Sequence, residues 1–259
     1  MRLYRKYVSI QLKSMFEYKA SLIFNTISSM LYTAVTFFGV YFLFQKFETV
    51  AGYTMSDILI TYSTISFSFY LSQTFFRGFD DFDKLVISGE LDRFLIRPRS
   101  VFIQVLGHQI EFSRLGRVIF SLIIMIIALA TSTIAWSAMK VLTVFLIIIG
   151  AIFIFLSLFL IYSGICIFTI EGLEVFNTIT HGGHQLSEYP IDIYSKFFKI
   201  VFTYVIPFGC VNYLPLQYLL DKPGANWLYA LAPIFTIVFF VFSYLFFRWS
   251  LTKYKSTGS

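Results

Sequence analysis

Apolar residues in this chain gather into long runs, broken by short stretches rich in charge, proline and glycine. Six runs are long enough to cross about 30 Å of hydrocarbon: residues 20–44, 58–76, 116–134, 141–170, 193–209 and 227–247. Runs of that length exceed ordinary strands and lack their alternation, so each predicts a helix whose solvent is lipid. The expected architecture is a single all-α membrane domain over 1–259, with six transmembrane helices. The fourth run is overlong, which implies tilt or protrusion. The fifth is the least regular, with Lys196 and Lys199 in its first turns and Pro207 inside it.

The stretches between the runs have periodicities of their own. Residues 1–19 place Tyr4, Tyr7, Val8, Leu12, Met15 and Phe16 on one helical face, with Arg2, Lys6, Ser9, Lys13 and Glu17 opposite. That is the pattern of a basic helix lying in the membrane interface, as a lipid anchor or as a lever on the first span. Residues 77–100 read RGFDDFDKLVISGELDRFLIRPRS. Phe79, Phe82, Leu85 and Val86 recur at helical spacing beside Asp80, Asp81, Asp83 and Lys84. Gly89 can take the left-handed conformation that ends a helix, and a second short helix with Glu90, Asp92, Arg93 and Arg97 must stop at Pro98. So many charges cannot enter lipid, while the Phe–Leu stripe should not be left in water. A helical hairpin resting on another protein meets both demands; so does one packed along its own membrane domain.

Farther along, Gln104, His108, Glu111 and Arg114 fall on one helical face within 101–116, and Glu111 and Arg114 are spaced to pair. The segment reads either as an extension of the third span or as a polar entry vestibule. Within 171–190 lies His181-Gly-Gly-His184, whose glycines point to a flexible, hinge-like loop. No third metal ligand is close in sequence, although Glu171, Glu174 and Glu188 are candidates. Later, Pro207, Gly209 and Pro215 interrupt the apolar text around Asn212; Pro223-Gly224 forms a turn and Asn226 is placed to cap the last helix. This predicts one or two short, partly re-entrant helices over 210–226, or a single kinked span with a tight loop.

Composition supports the lipid reading: 58% of residues are hydrophobic and 13% charged, against about a quarter charged in soluble domains. Placing the N-terminus inside leaves every Lys and Arg except Lys46, Lys140 and Lys222 on the cytoplasmic side, so both termini are expected there. The basic residues flank apolar runs, which points to anionic lipid headgroups and away from nucleic acid. Charges recur through 1–19, so no cleavable leader is expected and the first span is read as an anchor. Cys166 and Cys210 read as small apolar side chains. The cores of the six runs hold no Asp, Glu, Lys, Arg or His, which argues against an ion-coupled carrier. The chain also lacks G-x-x-x-x-G-K-[ST], so its energy is expected from a partner.

Three patterns carry a family resemblance: G-E-L-D-x-x-L-x-R-P at 89–98, Y-V-I-P-F-G-x-V-N-Y-L-P at 204–215, and K-Y-x-S-T-G-S within 249–259. In this order across six spans, the whole chain resembles ABC-2 type transporter permeases, a bacterial branch in particular. The resemblance implies a permease subunit of an ATP-binding cassette exporter in the bacterial inner (plasma) membrane. Two permeases, identical or related, would join two separate ATPase subunits that bind ATP and Mg. No catalytic, cofactor or metal site is implied in this chain itself. A coupling helix between spans 2 and 3 maps onto 79–86, supported by 90–97, and short outer helices map onto 211–220.

On that reading, closure of the ATPases pushes on 77–100 and shifts the second and third spans between two packings. Phe79 and Phe82 form the expected hydrophobic plug, with Asp80, Asp81 and Asp83 facing basic residues of the motor. Tyr32, Thr36, Tyr62, Ser66 and Tyr70 are the expected pathway lining, suited to amphiphilic, lipid-like or bulky cationic substrates. The rival readings are a sensor or resistance complex using the same motor, and an ATPase-independent channel or carrier. An intramembrane protease is disfavoured, because His108, His181 and His184 lie outside the six runs.

Overall fold

The computed structural model describes residues 2–47, 49–50, 52–169 and 174–255. Helix α1 (Arg2–Glu17) breaks at Tyr18 and leads into α2 (Lys19–Lys46), then α3 (Met55–Phe75). Short helices follow: α4 (Arg77–Asp80), α5 (Phe82–Ile87), α6 (Glu90–Ile96) and α7 (Val101–His108). Two long helices, α8 (Leu115–Thr131) and α9 (Ala138–Thr169), precede α10 (Glu174–Ser187). The remainder is α11 (Lys196–Ile200), α12 (Tyr213–Leu219), α13 (Trp227–Leu231) and α14 (Thr236–Lys253).

The expected faces of α1 hold for most of its length. Tyr4, Tyr7, Val8, Leu12 and Met15 are half-buried, while Lys6, Ser9, Lys13 and Glu17 are exposed. Phe16 departs from its face and is exposed; the side chain of Arg2 lies outside the described residues. The covered side meets α7, where Tyr7 lies on Gly107 and Gln11 Nε2 donates to the His108 carbonyl at 2.6 Å.

Helix α3 occupies the middle of the bundle. It begins at a capping box, in which the Thr54 N–H donates to Asp57 Oδ2 at 2.9 Å. Helices α8 and α9 pack along α3, α2 packs on α8, and α14 runs along α9. A Cβ at Gly116 would sit 2.2 Å from the Thr26 carbonyl oxygen, so glycine is what lets α8 approach α2 backbone to backbone. One end of the bundle gathers α1, the 77–111 excursion and the end of α14. The opposite, distal end joins Lys140 to Asp221 at 2.6 Å and Lys222 to the Gly52 carbonyl at 3.1 Å.

Among the described residues, four helical stretches are long and apolar enough to cross a membrane: Lys19–Lys46, Phe112–Thr131, Ala138–Thr169 and Trp227–Lys253. A fifth is added if Lys196–Val205 and Pro207–Leu219, bent by 78° between them, count as one span. The expected six-span layout is therefore met in part. Helix α3 has the length, at 21 residues, but too many hydroxyls for apolarity; surrounded by α8 and α9, it has little need to face lipid.

The run at 193–209 is not one straight helix. Its α11 turns become a π-helix at Val201–Val205, and Ile206 is extended before Pro207, whose fixed φ and missing N–H forbid continuation. The chain's return along α3 is made earlier, by α10: His181 lies near Gln73, His184 on Phe69 and Glu188 on Ser66. Ile193 packs with the distal cluster of Tyr53, Ile134 and Leu216. Lys196 and Lys199 thus follow a segment already at the distal end, which corrects their grouping with the basic residues of the opposite end.

Candidate functional site

The 77–100 excursion folds back onto the bundle. Phe79 and Phe82 are fully buried, edge-on to Phe247 of α14 with ring centres 5.5 and 5.7 Å away. Leu85, Val86, Leu91 and Phe94 join the same core, which also holds Phe155 and Phe159 of α9. The stripe needs cover, as its pattern demands, but the cover comes from α9 and α14 of the same chain. Phe79 and Phe82 are therefore not the exposed plug expected from the sequence. Close docking depends on Gly78, where a Cβ would sit 2.1 Å from the Val105 carbonyl oxygen. Gly89, at φ +68°, makes the left-handed turn between α5 and α6.

The acids of this segment also turn inward. Arg77 bonds Asp80, and its Nε lies 2.9 Å from Asp81 and 3.2 Å from Glu111. Burial pushes the Asp80 carboxyl above the ordinary carboxylate range, with the Arg77 guanidinium opposing it. Burial works against the Arg77 charge too, yet Asp80, Asp81 and Glu111 outweigh it and raise its pKa. Asp83, Glu90 and Asp92 are half-buried. Glu90 stands 3.6 Å from His108 and 3.8 Å from Arg93, and Lys84 reaches Asp81 at 3.1 Å.

What remains on the outside is a rim of Ile87, Leu95 and Ile96 beside Lys84, Arg93, Arg97 and Arg99. Ile96 is 83% exposed. These three apolar residues were not singled out from the sequence. The available signal was their phase: they fall off the helical positions shared by Phe82, Leu85, Leu91 and Phe94.

The four vestibule candidates do not share one helix. Helix α7 ends at His108, Gln109 is extended, and Phe112–Arg114 forms a 3₁₀ turn into α8. Gln104 points inward, its Nε2 donating to the carbonyls of Phe94 at 3.0 Å and Arg99 at 3.2 Å. That clamps the end of α6 to α7. Glu111 and Arg114 pair as their spacing suggests, at 2.7 Å.

Of the expected pathway residues, Tyr62, Ser66 and Tyr70 are buried, and Thr36 Oγ1 is 3.1 Å from the Tyr62 hydroxyl. Tyr32 is exposed, with the Arg117 guanidinium 4.8 Å above its ring. Tyr62 meets Thr36 of α2, Tyr70 lies near Arg117 of α8 and His184 of α10, and Ser66 faces Glu188 just beyond α10. Most α3 hydroxyls serve their own helix: Ser63, Thr64, Ser68, Ser72 and Thr74 donate to carbonyls four residues back. Such small side chains allow α8 and α9 to pack closely.

Ser66 differs, donating to Glu188 Oε1 at 2.8 Å. Buried His184 stacks on Phe69 with ring centres 4.0 Å apart, and its Nε2 lies 3.4 Å from the same carboxylate oxygen. The HGGH segment is thus helical, not a loop. Packing outweighs about 1 kcal/mol per helical glycine, and Gly183 leaves room for the Phe208 ring, 3.0 Å from where a Cβ would be. Glu171 lies outside the described residues, as does the side chain of Glu174. The interior is not free of titratable groups: α10 brings an acid and an imidazole to α3 from outside the apolar runs. Ion coupling is therefore not disfavoured by a bundle interior lacking titratable groups.

Beyond the bend, Pro207 opens a 3₁₀ turn, Pro215 is buried in α12, and the buried Asn212 Nδ2 donates to the carbonyls of Ser187 and, at 2.8 Å, Tyr189. Pro223-Gly224 turns as expected, with Gly224 at φ +87°. Asn226 precedes α13 without a side-chain cap. Between α11, the π-helical turn and α14 lies a groove of about 960 Å³, bordered by Lys196, Lys199, Tyr204, Val238, Phe239 and Phe242.

A protein-family model described as "ABC-2 family transporter protein" matches residues 30–258. No curated protein and no solved structure matches the chain.

Proposed function

Because the chain belongs to the ABC-2 transporter family, we propose that it is the permease subunit of an exporter driven by separate ABC ATPase subunits. Two ATPases would bind ATP and Mg, and this chain would pair with a second copy or a related permease in the bacterial inner membrane, both termini cytoplasmic. Supporting this most directly is the 77–100 excursion. It is fixed to α9 and α14 by Phe79 and Phe82, held by the Arg77 charge cluster, and still presents Ile87, Leu95 and Ile96 outward among basic side chains.

A rigidly mounted apolar knob with a cationic border suits a motor contact. Force on the rim would pass to α9 and α14 through the buried Phe cluster, and to α3 through Arg77. Asp80 and Asp81 act in this account as internal struts. The short helices after the 78° bend are read as re-entrant on the outer side. The test is efflux from vesicles holding the chain with and without the ATPase and Mg-ATP. Efflux only with the hydrolysing partner supports the proposal; efflux by the chain alone overturns it.

One observation favours a second reading, an ion-coupled carrier: the buried Glu188–His184 pair beside Ser66. The same vesicles separate the two. A carrier needs an imposed ion gradient and no ATP.

A further inference from the structure

Helix α10 and the residue after it set two titratable side chains against the hydroxyl-rich middle of α3, and the ATP-driven account gives them no role. Glu188 is 8% exposed and His184 5%. Glu188 Oε1 accepts from Ser66 at 2.8 Å and faces His184 Nε2 at 3.4 Å. Asn212 Nδ2 bonds the carbonyls of Ser187 and Tyr189, on either side of Glu188, and so fixes its backbone. The surroundings are aromatic. Phe69 stacks on the imidazole, and the ring centres of Tyr70 and Phe155 lie 5.5 and 6.2 Å from it.

Burial limits how many protons such a pair can hold. Without a proton it carries one negative charge, and with two it carries one positive charge; either would sit uncompensated against aromatic rings. One proton leaves the pair neutral, so acid and imidazole titrate as a unit. The proton belongs on the carboxyl, because two neutral groups are easier to bury than two ions. Among the described residues, the other titratable or charged groups facing the pair are Tyr62 and Tyr70 of α3, Arg117 of α8, His181 of α10, and Tyr189 and Tyr194 beyond it. Arg117 and His181 add to the cost of a second proton. The tyrosines keep their protons, and Arg117 its charge, through the neutral range.

We propose that Glu188 and His184 form a proton-binding site inside the bundle, holding one proton on the Glu188 carboxyl opposite the ring nitrogen, with Ser66 positioning that carboxyl. The site names the ion for the carrier reading above, and rests on that reading only for any use of the proton in transport. Binding itself needs neither a gradient nor a motor.

The experiment compares reversible unfolding of the purified full chain and of Glu188→Gln in detergent micelles at several pH values. The substitution keeps the side chain's shape and its acceptor for Ser66. Above about pH 4.3 the unfolded chain has an ionised Glu188, while the folded site keeps its proton, so protons favour the folded parent. The parent's folded-to-unfolded ratio, divided by that of the variant, should therefore fall about tenfold per pH unit between about pH 5 and 7. His181 is common to both proteins and cancels. Infrared spectra of the parent at pH 7 give a readout that does not need the Gln variant to fold: a neutral-carboxyl C=O band that Ser66→Ala moves by removing its hydrogen bond. A ratio that does not change with pH means that Glu188 is ionised in place, and overturns the proposal. So does the lack of a neutral-carboxyl band that Ser66→Ala moves. With no ATPase, nucleotide or ion gradient present, failure here is distinct from failure of either transport reading in the vesicle assay.

Discussion

The two faces of the 77–100 excursion obey opposite rules. On the inner face, aromatic rings and acids are both buried, the rings against Phe247 and the acids against Arg77. On the outer rim, aliphatic and basic side chains stand exposed, with Lys84 and Arg93 reaching back only to Asp81 and Glu90. The difference separates what holds the element from what it can offer to another molecule. Charge and hydrophobicity do not make that separation, since both faces contain both. Burial does.

Substitutions on the two faces should therefore part cleanly. The largest loss is expected at Phe82→Ala or Phe79→Ala, about 3–5 kcal/mol each, read as a lowered melting temperature of the purified chain in detergent. A fully stable Phe82→Ala protein would mean that the inner face is not core. Arg77→Met should cost about as much at most, roughly 3 kcal/mol, by leaving Asp80 and Asp81 buried without their partner. Adding Asp80→Asn to it should recover part of the loss, and no recovery would argue against the ion cluster as the cause. Gln104→Ala removes two hydrogen bonds and should cost about 1–3 kcal/mol, loosening α6 from α7; hydrogen exchange at 90–97 is the readout. Smallest should be Arg93→Ala on the rim, within about 0.5 kcal/mol, and a large destabilisation there would erase the distinction between the faces.

Much of this was legible in the amino-acid sequence where local rules dominate. Gly89 ends α5, Pro207 breaks the fifth run, Pro223-Gly224 turns, and α1 has its two faces, because each depends on residues within a few positions. The hairpin's need for cover was legible too, but not its source, since the Phe79–Phe247 contact joins residues far apart in the chain. Helix α3 was legible as the run at 58–76, but its central, buried place was not, for a physical reason. In lipid the apolar residues face outward, as on α2 with Phe24, Leu31, Val35 and Phe42 exposed, and small hydroxyl residues go inside. The same inversion hid Glu188 and His184. They lie in a polar stretch that looks like a loop, and only the packing of α10 on α3 brings them to Ser66.

If the rim, not the Phe stripe, meets the motor as proposed, Ile87→Asp combined with Ile96→Asp should break that contact. The measurement is co-purification of the cognate ABC ATPase with the membrane chain. The variant should keep the melting temperature and elution volume of the parent while ATPase capture falls at least about tenfold, given that an interface anchor commonly contributes 2 kcal/mol or more. Undiminished capture by a folded variant would contradict the claim.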